Sequence, residues 1–197
     1  DLALPELVHA RAELFAVIAN RADPDALTET ISAIKRSLAL SRPGVSIPVW
    51  AVPEDRYLIA PSMRGILRSV DGQLLAGDPD LLTREALGVV IAGMSMVNVL
   101  PRLFEGAVVV IPADRSEVLL ATLLANQSGT FPSISGIVLN GPFEQPEPVM
   151  RLIDGLGAGV PIITTELGTY DTAVRVMNTR GRLAAASPRR YDTALAL

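Results

Sequence analysis

The chain has 197 residues, of which 49% are hydrophobic and 19% charged, with a formal net charge of −4. This apolar content supports a folded core and excludes a disordered chain, while the acidic balance excludes a basic surface for nucleic acid. Aromatic residues make up only 4%. The core must therefore be aliphatic, a composition typical of parallel sheets covered by helices on both faces.

Several protein classes are disfavoured by what the sequence lacks. No apolar stretch reaches the ~18 residues of a membrane span, so we expect no membrane partner. The first residues carry no basic segment followed by an apolar run, which predicts a cytoplasmic location. The sequence contains no cysteine, which excludes disulfides and thiolate chemistry. Because the chain does not begin with methionine, we expect it to be a segment of a longer polypeptide.

The first part of the chain alternates apolar strand patterns with helical ones. Residues 14–19 read as a buried strand, Asp23-Pro24 opens a helix that runs to about residue 40, and residues 47–52 read as a second strand. A short helix over residues 61–70 and a brief strand over 73–76 follow.

Residues 77–80, Gly-Asp-Pro-Asp, are the strongest candidate for a domain boundary. We therefore predict one lobe over residues 1–77 and a second over 78–186. Ser187-Pro188 has the pattern of a helix start, so residues 187–197 are predicted to begin a linker helix.

Four strand–helix units follow the predicted boundary. Strands are predicted over residues 87–92, 107–111, 134–139 and 160–164, and helices over 95–103, 114–126, 147–156 and 169–178. Such alternation predicts an α/β fold with a mostly parallel sheet and helices on both faces.

Catalytic chemistry is not visible in the sequence. His9 is the only histidine and Lys35 the only lysine, and each lies in a helix-like pattern. The chain has no Ser-His-Asp arrangement, no metal-ligand spacing and no phosphate-binding loop with its lysine. We therefore expect no catalytic residue, no metal and no cofactor in this chain.

Polar residues nevertheless follow the predicted strands, where ligands of open α/β sheets bind. The candidate effector or interface residues are Asp114, Arg115, Asn140, Gly141, Thr169 and Tyr170.

Structural interpretations stand beside this functional one. Asp114 and Glu117 have the spacing of a capping box, and Arg115 has the position of a solvated first-turn residue. Thr169 is predicted as a helix N-cap, with Tyr170 half-buried beside it.

Two segments carry a resemblance to a known family. Residues 110–118, which include Asp114-Arg115, and residues 136–142, which include Asn140-Gly141-Pro142, resemble the DRTGG domain over about residues 80–185. Asn140 stands where the family name has Thr, and Pro142 where it has the second Gly. Proline has no N–H to donate, so we expect no backbone ligand cradle at this turn.

The upstream residues 17–21 and 48–55 are similar to the distal half of a dethiobiotin-synthetase-like nucleotide-binding domain. Long phosphate acetyltransferases have this order of domains. The resemblance implies a non-catalytic segment for regulation or assembly, with self-association and a possible metabolite effector. It also implies a catalytic domain in the same polypeptide that transfers acetyl groups between coenzyme A and phosphate.

Two alternatives remain open on the sequence. The chain could be a free-standing sensor that binds an adenine nucleotide or a carboxylate metabolite at the strand edge. It could also be a fragment of an amidoligase or ATPase, which the missing lysine-bearing loop disfavours.

Overall fold

The computed structural model describes residues 13–41 and 44–179, and the chain divides into two compact units between Asp55 and Arg56. Each unit has a hydrophobic core of its own. Across these described ranges, every helix is too short or too polar to span a bilayer.

The first unit is a two-stranded parallel sheet with one helix packed on it. β1 (Val17–Ala22) pairs with β2 (Val49–Pro53), and α1 (Leu27–Ser41) connects them. The core contains Leu38, Ile47 and Val49, with Leu14, Val17, Ile31 and Ile34 packed around them. The predicted order of strand, helix and strand is confirmed, although the first strand begins at Val17 rather than at Leu14.

The second unit contains a five-stranded sheet in the order β3-β7-β6-β5-β4. Its strands are β3 (Gln73–Ala76), β4 (Gly88–Ile91), β5 (Ala107–Pro112), β6 (Gly136–Asn140) and β7 (Ile162–Thr165). The last four are parallel to one another, and β3 is antiparallel to β7 at one edge. The predicted mostly parallel sheet is therefore confirmed.

Helices cover both faces of this sheet. They are α2 (Arg56–Ile59), α3 (Met63–Ser69), α4 (Met96–Val99), α5 (Ser116–Ser128), α6 (Glu147–Leu156) and α7 (Thr169–Asn178). Val109 and Ile111 of β5 share a core with α5 and α6, whereas Val108 and Val110 share one with α3 and α7. A strand buried on both faces has no polar side, and this explains the continuous β-branched run in β5.

The structure divides the chain earlier than the boundary predicted between residues 77 and 78. Met63, Ile66 and Val70 are fully buried in the core of the second unit, and β3 pairs with β7. Gly77 has φ +96, and a Cβ there would lie 2.6 Å from the Val160 carbonyl oxygen. The Gly-Asp-Pro signal therefore marks a tight turn inside one unit, because turns within a unit and linkers between units use the same residues.

The helix predicted over residues 95–103 is α4 followed by a 3₁₀ turn at Leu100–Arg102, because Pro101 lacks the N–H that an α-helix needs. The helix predicted after Ser187-Pro188 lies outside the described residues, as does His9.

Candidate functional site

The loops after the four parallel strands lie together at the carboxyl edge of the sheet. The strand register places Pro112 beside Asn140, and Asn140 beside Thr165. The residues predicted from the sequence all lie on these loops or at the strand and helix ends that border them. They are Asp114, Arg115, Asn140, Gly141, Thr169 and Tyr170.

Arg115 joins two neighbouring loops at this edge. Its Nη1 and Nη2 donate to the carbonyl oxygens of Gly93 and Met94 at 3.4 and 3.3 Å. Its Nε donates to Oε1 of Glu117 at 2.6 Å. This hydrogen bond, aided by the positive charge, holds the pKa of the Glu117 carboxyl below its ordinary value. Arg115 is 32% exposed and links the loop after β4 to the start of α5.

Asp114 is exposed and does not begin the next helix. The N–H of Arg115 donates to the Pro112 carbonyl at 2.9 Å and closes a turn, so that α5 begins only at Ser116. The N-cap position falls on Arg115, with no side-chain cap bond. The predicted capping box of Asp114 and Glu117 is therefore wrong, and the Glu117 carboxylate instead pairs with Arg115.

Gln145 belongs to this edge although the sequence analysis did not single it out. Its Nε2 donates to the Ala113 carbonyl at 2.5 Å, and its Oε1 accepts from the Ser116 hydroxyl at 3.2 Å. The loop after β6 is thereby tied to the first residue of α5. No motif surrounds Gln145, so only the folded arrangement reveals its role.

Asn140 is 4% exposed and links β6 to the start of α7. With its amide oriented to satisfy its neighbours, Nδ2 donates to the Ile111 carbonyl at 3.2 Å. Its Oδ1 then accepts from the N–H and the hydroxyl of Thr169 at 3.1 and 2.9 Å. The first N–H groups of a helix have no intrahelical acceptor, so Asn140 caps α7 from a neighbouring strand.

Two predictions about the start of α7 are wrong. Thr169 is its first helical residue, with Gly168 at the N-cap, so that Thr169 receives a cap instead of providing one. Tyr170 is 80% exposed rather than half-buried, because the buried side of α7 is the one that carries Thr172 and Val176.

Gly141 turns the chain away from the sheet. Its φ is +101, a conformation that glycine adopts without strain, and its N–H donates to the Thr165 carbonyl at 3.0 Å. The next residue, Pro142, has no N–H. These two positions therefore leave no backbone donor for a ligand.

Most polar groups at the carboxyl edge bond to one another. The Asp114 carboxylate and the Tyr170 hydroxyl are exposed, and neither has a hydrogen-bond partner in the part of the chain that the structure describes. Across those same residues, no group of three or more His, Cys, Asp or Glu side chains is placed to hold a metal ion. The arrangement fixes loops relative to one another and offers Asp114 and Tyr170 as outward contacts.

These features define a three-layer α/β domain with its distinctive polar residues at the strand ends. The family model described as the DRTGG domain matches residues 65–179, which is more than half of the chain. The chain belongs to the DRTGG domain family. The predicted resemblance is thus confirmed, and the match begins within α3 rather than near residue 80.

Curated relatives carry the name phosphate acetyltransferase. The one from Nitratidesulfovibrio vulgaris is 32% identical over 170 residues, which cover 86% of this chain and 24% of that protein. The one from Synechocystis is 28% identical over 177 residues, which cover 89% and 25%. The chain therefore spans about a quarter of the length of the curated relatives it matches.

A solved structure is similar at lower identity. It is the crystal structure of the CBS and DRTGG domains of the regulatory region of Clostridium perfringens pyrophosphatase, complexed with the activator diadenosine tetraphosphate. The TM-score is 0.48 and the identity 14%, with 86% of this chain and 76% of that chain covered.

Proposed function

We propose that this chain is a non-catalytic segment of a phosphate acetyltransferase and serves the regulation or assembly of that enzyme. The observation that carries the proposal is its similarity, over most of its length, to proteins of that name of which it spans about a quarter. In the parent enzyme, a catalytic domain of the same polypeptide would bind coenzyme A and transfer acetyl groups between it and phosphate. We propose that this parent enzyme is located in the cytoplasm.

The chemistry of the carboxyl edge supports a non-catalytic role. Arg115 and Asn140 bond to neighbouring loops and helices, and Gly141 supplies the turn that follows β6. These residues position the edge, whereas Asp114 and Tyr170 are free to contact an effector or another subunit.

The first unit supports the proposal of an incomplete nucleotide-binding-like lobe. Ile18 and Trp50 lie opposite each other in the β1–β2 register and are 63% and 53% exposed. Parallel sheets are normally covered on both faces, and among residues 13–41 and 44–55 the side chains packed against α1 cover only one face. We propose that another part of the same polypeptide completes this lobe.

The outward side of α7 is the surface that we propose for self-association. Tyr170, Val174 and Met177 are 80%, 37% and 68% exposed, and their spacing places them on one side of the helix. The opposite side carries the buried Thr172 and Val176. A second copy of the chain is the proposed occupant, since exposed apolar side chains grouped on one side of a helix suit a subunit interface.

Acetyl transfer measured with the purified chain tests the non-catalytic part of this proposal. We expect no formation of acetyl coenzyme A from acetyl phosphate and coenzyme A above the uncatalysed rate. Measurable turnover would overturn the non-catalytic role.

Light scattering tests the proposed self-association, and we expect a molecular mass above that of the monomer. The regulatory part predicts that Arg115→Gln, placed in the complete gene product, alters the response to metabolites and leaves the basal rate unchanged.

A further inference from the structure

A cavity opens at the amino edge of the five-stranded sheet, opposite the carboxyl edge. Its volume is about 340 Å³, near the lower end of the roughly 300–1,000 Å³ typical of small-molecule sites. Its wall consists of residues that precede β4, β5, β6 and β7, together with a tyrosine and an asparagine from flanking helices. The polar side chains of this wall include Tyr57, Arg84, Glu85, Glu105, Asn126 and Ser133.

Backbone hydrogen bonds hold the wall of this cavity in place. The N–H of Leu87 donates to the Gly106 carbonyl, and the N–H of Gly106 donates to the Ser133 carbonyl, both at 2.8 Å. The hydroxyl of Ser135 donates to the Glu85 carbonyl at 2.5 Å. Because the wall is cross-linked between strands, the cavity is formed before any ligand enters, which lowers the entropic cost of binding.

Three side chains of the wall have hydrogen-bonding capacity to spare. Within residues 13–41 and 44–179, the half-buried guanidinium of Arg84 has no hydrogen-bond or ion-pair partner. Asn126 accepts the Ile134 N–H at its Oδ1, at 3.0 Å, and its Nδ2 has no acceptor in that part of the chain. Glu105 accepts the Ser133 N–H at Oε2, also at 3.0 Å, which leaves Oε1 available.

We propose that this cavity binds a small metabolite that carries one carboxylate or phosphate and at least one hydroxyl or amino group. The guanidinium of Arg84 and the Nδ2 of Asn126 donate to the anionic group, and charge-assisted bonds of this kind are the strong ones. The Glu105 Oε1 accepts from the hydroxyl or ammonium group, and the Tyr57 ring provides an apolar wall. Binding at this cavity does not depend on whether the chain belongs to a phosphate acetyltransferase. A role for that binding in regulating acetyl transfer would rest on the proposed function.

The test is an NMR titration of the whole 197-residue chain, in which changes in amide chemical shifts report binding. The three probes share one carbon skeleton. D-glycerate carries the carboxylate, glycerol 3-phosphate the phosphate, and glycerol neither. We expect saturable shifts at Gly106, Ser133 and Gly159 with at least one of the two anions, and none with glycerol. The anion that binds more tightly identifies the preferred group.

Two variants locate the binding site. Arg84→Gln should weaken binding of that anion by about tenfold or more. Asn126→Asp keeps an oxygen for the Ile134 N–H but replaces the donor with a negative charge, so it should weaken binding to a similar degree. Arg68→Gln, on the exposed side of α3 and outside the cavity, should bind as the wild type does.

Three outcomes would overturn the proposal. They are the absence of saturable shifts with both anions, shifts confined to carboxyl-edge amides such as that of Gly141, and normal binding by folded Arg84→Gln and Asn126→Asp variants. The dispersion of the amide spectrum shows whether each variant is folded. Since the acetyl-transfer assay is independent of this titration, failure of either proposal can be recognised separately.

Discussion

At the scale of single residues, buried polar side chains connect the elements of the second unit. The Thr165 hydroxyl, for example, donates to the Val70 carbonyl at 2.6 Å. Asn140 makes three such bonds between β5, β6 and α7. Buried polar groups are costly when unpaired, so these contacts fix the positions of the loops as well as stabilising them.

We expect Asn140→Ala to destabilise the chain by about 2 kcal/mol, because it removes the acceptor of the Thr169 N–H and hydroxyl and one donor to the Ile111 carbonyl. Chemical denaturation measures this change. Asp114→Ala is the matched control at the same edge. It should change stability by less than about 0.5 kcal/mol, since the exposed Asp114 caps no helix. Equal effects of the two substitutions would contradict the capping role of Asn140.

The pair of Arg115 and Glu117 predicts a pH effect of defined sign. The pKa of Glu117 is lowered in the folded chain from its ordinary value of 4.5. Its stabilising contribution is therefore present above that value and is lost as the pH falls through the lowered pKa. Because Glu117 is largely exposed, we expect the contribution to stability to be small.

A pH titration of the Glu117 carboxyl carbon, followed by carbon-detected NMR, measures the pKa of this group directly. In the Arg115→Gln variant, the pKa of Glu117 should rise toward its ordinary value, since the hydrogen bond that lowers it is gone. In the Arg68→Gln control, the titration of Glu117 should match that of the wild type. An unchanged Glu117 titration in Arg115→Gln would show that the pair does not form in solution.

At the scale of elements, the helix starts of the second unit are held in different ways. α3 is capped locally, because the Ser62 hydroxyl accepts the Gly65 N–H at 3.2 Å. α5 is held through Gln145, which bonds to Ser116, and α7 through Asn140. Local caps follow from sequence spacing, whereas caps supplied by another loop or strand depend on the fold.

The outward side of α7 gives a prediction about assembly. Met177→Glu places a charge in the proposed interface and should shift the chain toward the monomer in sedimentation experiments, because an unpaired charge is costly at an apolar contact. Leu152→Glu is the control, since Leu152 is 52% exposed on α6 and lies outside this surface. Equal association of wild type and Met177→Glu would exclude α7 as the interface.

At the scale of the whole molecule, the position of the division decides what folds as a unit. Met63, Ile66 and Val70 are completely buried in a core shared with β5, β6 and β7. Each such side chain contributes about 1.5–3 kcal/mol on burial, against a total stability of about 5–15 kcal/mol for a typical domain. Removing them should therefore unfold the second unit.

Two fragments test this division. We expect residues 56–197 to unfold cooperatively in denaturant, with a transition like that of the second unit in the intact chain. Residues 78–197 lack α3 and β3, so this fragment should unfold without a cooperative transition and bind a hydrophobic dye. A cooperative transition at the same midpoint for both fragments would instead favour the boundary at residue 77.

The sequence by itself determined the α/β class, the order of the strands and longer helices, and membership of the DRTGG family. These properties follow from local periodicity and from short motifs, such as the continuous β-branched run of β5 and the Asp114-Arg115 pair. Glycine at position 141 also marked a real turn, because its φ of +101 suits that residue.

Only the tertiary structure decided where the units divide, what holds the start of α5, what caps α7, and which groups remain unpaired. Asn140 and Thr169, or Gln145 and Ala113, are distant in sequence and meet because parallel strands bring their loops to one edge. The amino-edge cavity has the same origin, since Arg84, Glu105 and Asn126 come from three separate segments. Local sequence patterns do not encode such long-range contacts, because strand order and side-chain packing depend on the whole hydrophobic core.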